Sequence, residues 1–315
     1  MNVHETAELL KQLDHVLILT HVRPDGDAIG CGAALCQALR DMGKTAYLLY
    51  NSGITSTYEK YAAPYWATED FVPEHVVAVD LAAADQFPEN AKVCAQRVEL
   101  CIDHHPSNTF YAASTCLDTK AAAACEIVYE VIKELTPLTP AIALALYVGI
   151  STDCGCFQYA NTTPKTHRIA AELMEIVDVA AVNHALFRTK SRVRLAMESR
   201  MVAEMELYDQ NRVVVMQIPL RLREEFHATE ADIEELSSLA AQVEGTDCGI
   251  TLRELKPGVI KISLRTGPRV DACAVCKMLG GGGHKAASGA TVNGTMDEVK
   301  AKVLDAVAEI TQMKN

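Results

Sequence analysis

HVLILTHVRPDGDAIGCGAALCQALRDMG, residues 15–43, sets an apolar run, a loop carrying His21, Asp25 and Asp27, and an apolar-periodic stretch one after another. His15 to Thr20 reads as a short buried strand. Ala28 to Met42 has the apolar spacing of a helix that stops before Gly43. Strand, acid-rich loop and helix form the unit from which a parallel sheet wrapped by helices is built. In open sheets of this kind ligands gather at the carboxyl ends of the strands, which is where this loop would lie. In an extended loop residues two apart face the same way, so Asp25 and Asp27 can present carboxylates together while His21 turns back from the strand end. Pro24 fixes the turn and Gly26 permits it. A Pro-Asp-Gly-Asp run is also an ordinary surface turn, so the stretch takes its meaning from what lies further along the chain.

Two more apolar runs end on candidate ligands: Val76 to Val79 on Asp80, and Val98 to Ile102 on Asp103-His104-His105. Helical stretches at Ala121 to Leu135 and Ala141 to Ile150 follow, and Asp153 stands just past the second. Aspartate and imidazole are the ligands that divalent manganese, iron or zinc accept, and the chain supplies enough of them for two adjacent ions. Alone, Asp80 would more often cap a helix, and Asp153 would close a turn. In the Asp-His-His triplet one imidazole can bind a metal while a nearby carboxylate orients it, leaving the second to face a substrate. Cys154, Cys156 and the pair Cys273 and Cys276 raise a thiolate-ligand reading. A single Cys-x2-Cys without a second pair favours small buried thiols instead.

The predicted fold class is α/β, with an N-terminal doubly wound, mainly parallel sheet domain and a smaller C-terminal α/β domain with a mixed sheet, the active site lying in the cleft between them. The expected boundaries are 1–185 for the first domain, 186–207 for a helical linker, and 208–315 for the second. In the second, Val213 to Ile218 reads as a strand, Glu230 to Val243 as a helix, and the Lys256-Pro257-Gly258 turn joins two strands. Val270 to Leu279 reads as a helix that runs into Gly280-Gly281-Gly282-Gly283-His284, and a last helix spans about Met296 to Thr311. A glycine loop lets backbone N–H groups come close to a phosphate, and Arg265 on the preceding strand can add a bidentate grip.

Composition narrows the class. A net charge of −12 over 315 residues argues against a general binder of long duplexes. Between residues 250 and 290, however, seven basic side chains face two acidic ones, a local excess of +5 suited to a phosphate-bearing substrate. The acidic, amphipathic start lacks the pattern of a signal peptide, and no apolar run reaches transmembrane length. With an odd count of eleven scattered cysteines, a reducing cytoplasm is the expected location.

Taken together, HVRPDGDAIG (21–30), Asp80, DHHPSN (103–108), TDCGCFQYANTTPKT (152–166), SLRT (263–266) and GGGGHKAASG (280–289) resemble the DHH phosphoesterase superfamily. Within it they are similar to the subgroup with the DHH-associated subfamily 1 C-terminal domain and to its bacterial nanoRNase and pAp phosphatase branch. The resemblance implies that His21, Asp25 and Asp80 hold one manganese ion and Asp27, Asp80, His104 and Asp153 the other, with Asp80 bridging. It further implies that Asp103 supports the histidines and that His105 touches the scissile phosphate. Asn108, Arg265, Gly281, Gly282, Gly283 and His284 would then take the substrate. Arg23, Cys31 and Cys154 depart from residues common in the family without removing an implied ligand.

The implied activity is a manganese-dependent phosphoesterase. It would degrade very short oligoribonucleotides from the 3′ end to mononucleotides and dephosphorylate 3′-phosphoadenosine 5′-phosphate to AMP. The alternative is a phosphodiesterase for cyclic or linear di-adenylate, and a second class is a non-enzymatic nucleotide sensor, whose mark would be a lost ligand. A RecJ-type exonuclease would need added nucleic-acid domains, and a family II pyrophosphatase lacks the GGGGH loop. Expected partners are short single-stranded RNA or small nucleotides and a homodimer mate, with neither long duplexes nor membranes.

Overall fold

The computed structural model describes residues 1–312; for 234, 235 and 312 it describes the backbone alone. The last three residues assigned to the second domain therefore lie outside the described residues. The chain divides into two compact units, Met1–Thr189 and Lys190–Asn315.

In the first unit the strands are β1 (Val16–Leu19), β2 (Ala46–Leu48), β3 (His75–Val79), β4 (Val98–Asp103) and β5 (Ser114–Leu117). They form one sheet in the order β2-β1-β3-β4-β5, and every pairing is parallel. The helices are α1 (Val3–Gln12), α2 (Gly26–Asp41), α3 (Ser56–Ala62), α4 (Lys92–Ala95), α5 (Ala124–Lys133), α6 (Pro140–Asp153), α7 (Pro164–Met174) and α8 (Val179–Asn183). Strand side chains alternate between two cores, as their period of two requires. Val16, Ile18, Val77, Val79, Leu100 and Ile102 enter the larger core with α2, α5 and α6. Leu17, Leu19, Val76 and Ala78 enter a smaller one, joined by Val98, which a register shift between β3 and β4 puts out of step with Leu100, and closed by Leu81, Phe87 and Ala91 from the segment between β3 and β4. The sheet is thus covered on both faces, but the long helices gather on one.

α6, apolar on every side, is the buried partner of α2. Their close approach depends on two glycines without special backbone angles. A Cβ on Gly30 would lie 2.6 Å from the Ala145 carbonyl oxygen of α6, and one on Gly149 would lie 3.0 Å from Asp27 Oδ1 of α2 and 2.2 Å from Cys125 Sγ of α5.

In the second unit β6 (Glu206–Tyr208), β7 (Val213–Ile218), β8 (Cys248–Lys256), β9 (Val259–Thr266), β10 (Gly282–Gly283) and β11 (Ala287–Asn293) make a mixed sheet ordered β10-β11-β9-β8-β7-β6, with only β7 and β8 parallel. α9 (Arg192–Ala203) falls in the stretch expected as a linker, yet Met197 and Met201 bury it against Val214, Met216 and Ile218. α10 (Leu220–Glu225) and α11 (Glu230–Ile233) follow β7. On the other face α12 (Ala272–Met278) and α13 (Met296–Gln312) pack against Ile250, Leu252, Ile262 and Leu264. The helix expected over Glu230 to Val243 is α-helical only in α11 and continues as a 3₁₀ run to Gln242. There the backbone at Ala241 lies so near β8 that a Cβ on Gly249 would come within 2.4 Å of it. No helix among the described residues is long and apolar enough to cross a membrane.

The α2 and α6 contact gives a stability prediction. Gly30→Ala drives its methyl into backbone and should cost about 1–3 kcal/mol, the range for overpacking. Gly32→Ala meets first the movable end of the Leu48 side chain, at 2.7 Å, and should cost less. Urea midpoints of the two variants decide; equal midpoints would contradict the argument.

Candidate metal centre

The carboxyl ends of the parallel strands and the ends of two helices bring the acids together. His21 follows β1. Asp80 follows β3 in the left-handed region, with φ of 50°, a conformation that aspartate tolerates and that here ends the strand abruptly. Asp103 is the last residue of β4, with His104 and His105 directly after it, and Asp153 is the last residue of α6. Asp25 and Asp27 do not lie in an extended loop, as their spacing suggests. Asp25 is the N-cap of α2, accepting from the N–H groups of Asp27 at 3.0 Å and Ala28 at 3.1 Å, and Asp27 sits inside the first turn. The helix start, which prefers a capping carboxylate, therefore fixes their positions. Asp153 is likewise helical rather than part of a turn, because α6 continues past Ile150.

Asp80 lies at the centre. Its Oδ2 is 3.8 Å from His21 Nε2, and that nitrogen is 3.9 Å from Asp25 Oδ1. Its Oδ1 is 3.6 Å from His104 Nε2, which is itself 3.9 Å from Asp27 Oδ2 and 3.7 Å from Asp153 Oδ2. These separations are too long for hydrogen bonds. Ligands on one ion with bonds of about 2.0–2.2 Å stand roughly 3–3.5 Å apart, so each set needs only a small contraction to share a cation. The donor chemistry fits as well. Asp80 Oδ1 is buried without a hydrogen-bond partner among the described residues. Burial, and then the charges of Asp27, Asp25, Asp153 and Asp103, push the Asp80 carboxyl well above its usual range. Burial, followed by Asp27 and Asp25, does the same to Asp153. A divalent cation reverses both effects.

The surrounding hydrogen bonds give the two histidines different tasks. His104 Nδ1 is 3.2 Å from the Ala121 carbonyl, which can only accept, so the proton sits on Nδ1 and the Nε2 lone pair points at the acids. His105 Nδ1 is nearer to Asp103 Oδ1, at 2.8 Å, than to Asp80 Oδ1, at 3.5 Å. That nitrogen therefore carries a proton held by Asp103. Asp103 is fully buried and also accepts from the His104 N–H at 2.8 Å and from Asn108 Nδ2 at 2.6 Å. Burial alone would raise its pKa, but the hydrogen bonds of His105 and Asn108 outweigh it and hold the carboxyl below its ordinary value.

Asn108 lies inside the same loop. Expected to meet substrate, it is buried, with Nδ2 on Asp103 and Oδ1 accepting from the Phe110 N–H at 2.7 Å, so its polar atoms are used inside the loop. The cysteines are free thiols, and burial pushes Cys154 to about 12 and Cys276 to about 11, which leaves them protonated. Cys31 and Cys125, with sulfurs 3.3 Å apart beside Asp27, are pushed up by burial in the same way.

One supporting element escaped sequence reading. Asp27 accepts from the N–H groups of Ala124 at 2.6 Å and Cys125 at 3.0 Å, so a carboxylate of α2 closes the start of α5. The signal was present in the run Ala121 to Ala124, where a helix begins without a side chain able to cap it.

In the second unit Arg265 is on β9, paired with Ala287 of β11, and its side chain reaches back to the Leu264 carbonyl. The glycines are not equivalent. Gly280 has φ of 77° just past α12, where a left-handed residue ends the helix. A Cβ on Gly281 would strike the Gly289 carbonyl at 2.2 Å, and one on Gly283 the Ala287 carbonyl at 2.8 Å. A Cβ on Gly282 would meet nothing within 4 Å. His284 closes the turn, its N–H donating to Ala287 at 2.8 Å. The local basic excess is smaller than the sequence count, since Glu230 pairs with Arg253 at 2.6 Å and Asp247 with Arg269 at 3.3 Å.

Comparison with known proteins gives the family. Residues 15–150 match the DHH family N-terminal domain, and residues 210–313 match the DHHA1 domain. The chain is 33% identical over 311 residues to the bifunctional oligoribonuclease and PAP phosphatase NrnA of Thermus thermophilus, covering 96% of this chain and 92% of that protein. It is 26% identical to the Bacillus subtilis protein of the same name, with 91% and 92% covered. The crystal structure of an exopolyphosphatase-related protein from Bacteroides fragilis gives a TM-score of 0.88 at 20% identity, covering 99% of this chain and 96% of that one. RecJ from Thermus thermophilus in complex with Mn2+ gives 0.57 at 14% identity, with 98% and 55% covered. At such identities both structures speak to the fold alone. Fold and site together define a hydrolase that acts on phosphate esters. The chain belongs to the DHH family, in the branch that carries a DHHA1 domain.

A group whose folded pKa is depressed stabilises the fold above its unfolded value, and that contribution disappears as pH falls through the folded value. Asp103 is such a group, with an ordinary value of 3.8. Asn108→Ala removes a short hydrogen bond to it, which should cost about 1.5–3 kcal/mol near neutrality. Acid unfolding of the metal-free variant should then begin at a higher pH than in wild type. Melting curves from pH 3 to pH 7 test this, and superimposable acid limbs would show that Asn108 does not hold the Asp103 charge.

Proposed function

We propose that the chain is a manganese-dependent phosphoesterase that degrades very short oligoribonucleotides from the 3′ end to mononucleotides and dephosphorylates 3′-phosphoadenosine 5′-phosphate to AMP. The observation that carries this reading is Asp80, whose two oxygens face two separate ligand sets. His21, Asp25 and Asp80 would hold one ion; Asp27, Asp80, His104 and Asp153 would hold the other. Two divalent ions so held supply Lewis acidity at the phosphoryl group and lower the pKa of water to near neutrality.

The residues of the chain do the rest. His104 keeps its lone pair on the acids because Ala121 holds its other nitrogen. Asp103 fixes the Nδ1 proton of His105 and so orients the ring that would contact the scissile phosphate. Arg265, Gly281, Gly282, Gly283 and His284 would bind substrate phosphate from the second unit. Of the glycines, Gly282 is the one whose missing side chain leaves open space, which suits close approach by a ligand. The Thermus and Bacillus relatives, whose names join an oligoribonuclease to a PAP phosphatase, support the pairing of substrates. With a net charge of −12, the chain has few anchors beyond one or two phosphates.

Asp80→Ala should remove both ions together and lower turnover roughly 100-fold or more, beyond the range for loss of an outer partner. His105→Ala should keep its metal content and lose roughly 100-fold in kcat. Elemental analysis beside steady-state kinetics checks both. Normal activity in Asp80→Ala, or metal loss in His105→Ala, would contradict the assignment.

Rates on labelled RNA should be highest for two- to five-mers and decline with length, with duplex DNA a poor substrate. The decisive panel sets these against 3′-phosphoadenosine 5′-phosphate and both cyclic and linear di-adenylate in manganese buffer. Di-adenylate cleaved far faster than either proposed substrate would move the protein to signal turnover. Equal rates on strands tens of nucleotides long would move it toward RecJ-like exonucleases.

A further inference from the structure

The segment from Ala121 to Cys125 leads into α5 and meets the candidate metal centre repeatedly. Its Ala121 carbonyl holds His104 Nδ1 at 3.2 Å, and its Ala124 and Cys125 N–H groups hold Asp27 at 2.6 and 3.0 Å. The position of this backbone therefore sets two of the proposed ligands. A third, Asp153, comes from α6 and shares no hydrogen bond with the segment directly. The connection runs through one side chain. Asn161 Nδ2 donates to the Ala122 carbonyl at 2.9 Å and to the Asp153 carbonyl at 3.1 Å.

The chemistry suits that task. A primary amide has two N–H hydrogens on one nitrogen, so a single group can bind two carbonyls and fix their separation. The Asp153 carbonyl is one of those a helix end leaves without an intrahelical partner. Asn161 is itself anchored. Two residues on, Thr163 caps α7, and Thr166 in the same capping box donates through Oγ1 to the buried Glu126 at 2.5 Å.

We propose that Asn161 is a positioning residue for the ion taken by Asp27, Asp80, His104 and Asp153, tying Asp153 to the backbone that orients Asp27 and His104. The proposal rests on the reading given under Proposed function. Asn161 lies at the surface, so its two neutral hydrogen bonds contribute little to folding and their loss leaves the unit folded. Loss of partners that orient metal ligands typically weakens metal binding about 10–100-fold.

The test measures manganese binding by calorimetry on the full chain, with melting of the metal-free protein and kinetics at graded manganese. In Asn161→Ala one of two binding steps should weaken about 10–100-fold while the other is unchanged and the metal-free melt stays near wild type. Activity should need correspondingly more manganese, with kcat returning toward wild type at saturation. Asn161→Gln, which keeps the amide on a longer arm, should recover part of the lost affinity. Two unchanged binding steps in Asn161→Ala would overturn the proposal. So would loss of both steps together with a collapse of the metal-free melt, which would give Asn161 a purely structural role. A wild-type protein that binds no manganese would instead refute the reading on which the proposal rests.

Discussion

The first unit is organised around a repulsion. Asp25, Asp27, Asp103 and Asp153 all crowd the buried carboxylate of Asp80, and one of its oxygens has no hydrogen bond to offset the loss of water. Burying a charge without a partner is among the costliest things a fold can do. Such an arrangement persists only where the surrounding structure holds it in place, and the parallel sheet does so by ending three neighbouring strands beside one another. β1, β3 and β4 are adjacent in the sheet, so His21, Asp80 and the Asp-His-His triplet come together by strand order alone.

The other candidate ligands arrive on helices, and their precision depends on packing far from the acids. α2 carries Asp25 and Asp27, α6 carries Asp153, and the two helices touch through Gly30. A methyl group at that contact would separate the helices and with them the two sides of the ligand set. The glycine that looks like a helix weakness in the sequence is thus a spacing device. Asp103 does similar work by different means. It collects hydrogen bonds from the His104 backbone, the His105 ring and the Asn108 amide, and so turns one buried charge into the anchor for the turn and for the His105 imidazole.

Most of the fold is legible in the sequence where apolar runs are long and strictly periodic. β1, β3, β4, β7, β8 and β9 fall where alternation or continuous apolar runs place them, and α2, α6 and α13 follow helical spacing. β2 and β5 are missed because three or four residues carry little periodic signal, and β11 because Ser288 and Gly289 interrupt its pattern. The candidate ligands are legible because acids and histidines at the ends of apolar runs are chemically conspicuous. Their supports are not. Ala121, Ala124 and Cys125 act through backbone atoms that every residue has, so the alanine run reads as helix and nothing more. Asn108 shows the converse: its chemistry suggests a ligand contact, but burial turns it inward.

Asp27 holds a helix start with both its oxygens, and one of them, Oδ2, also faces the candidate metal pocket. The amides of α5 and any cation in the pocket therefore compete for one carboxylate, and charge drawn to one side is withdrawn from the other. Occupancy of the pocket would in this way be coupled to the first turn of α5, whose inner face lies in the main core. Amide exchange at the first turn of that helix would report, from within the core, on what the surface pocket contains.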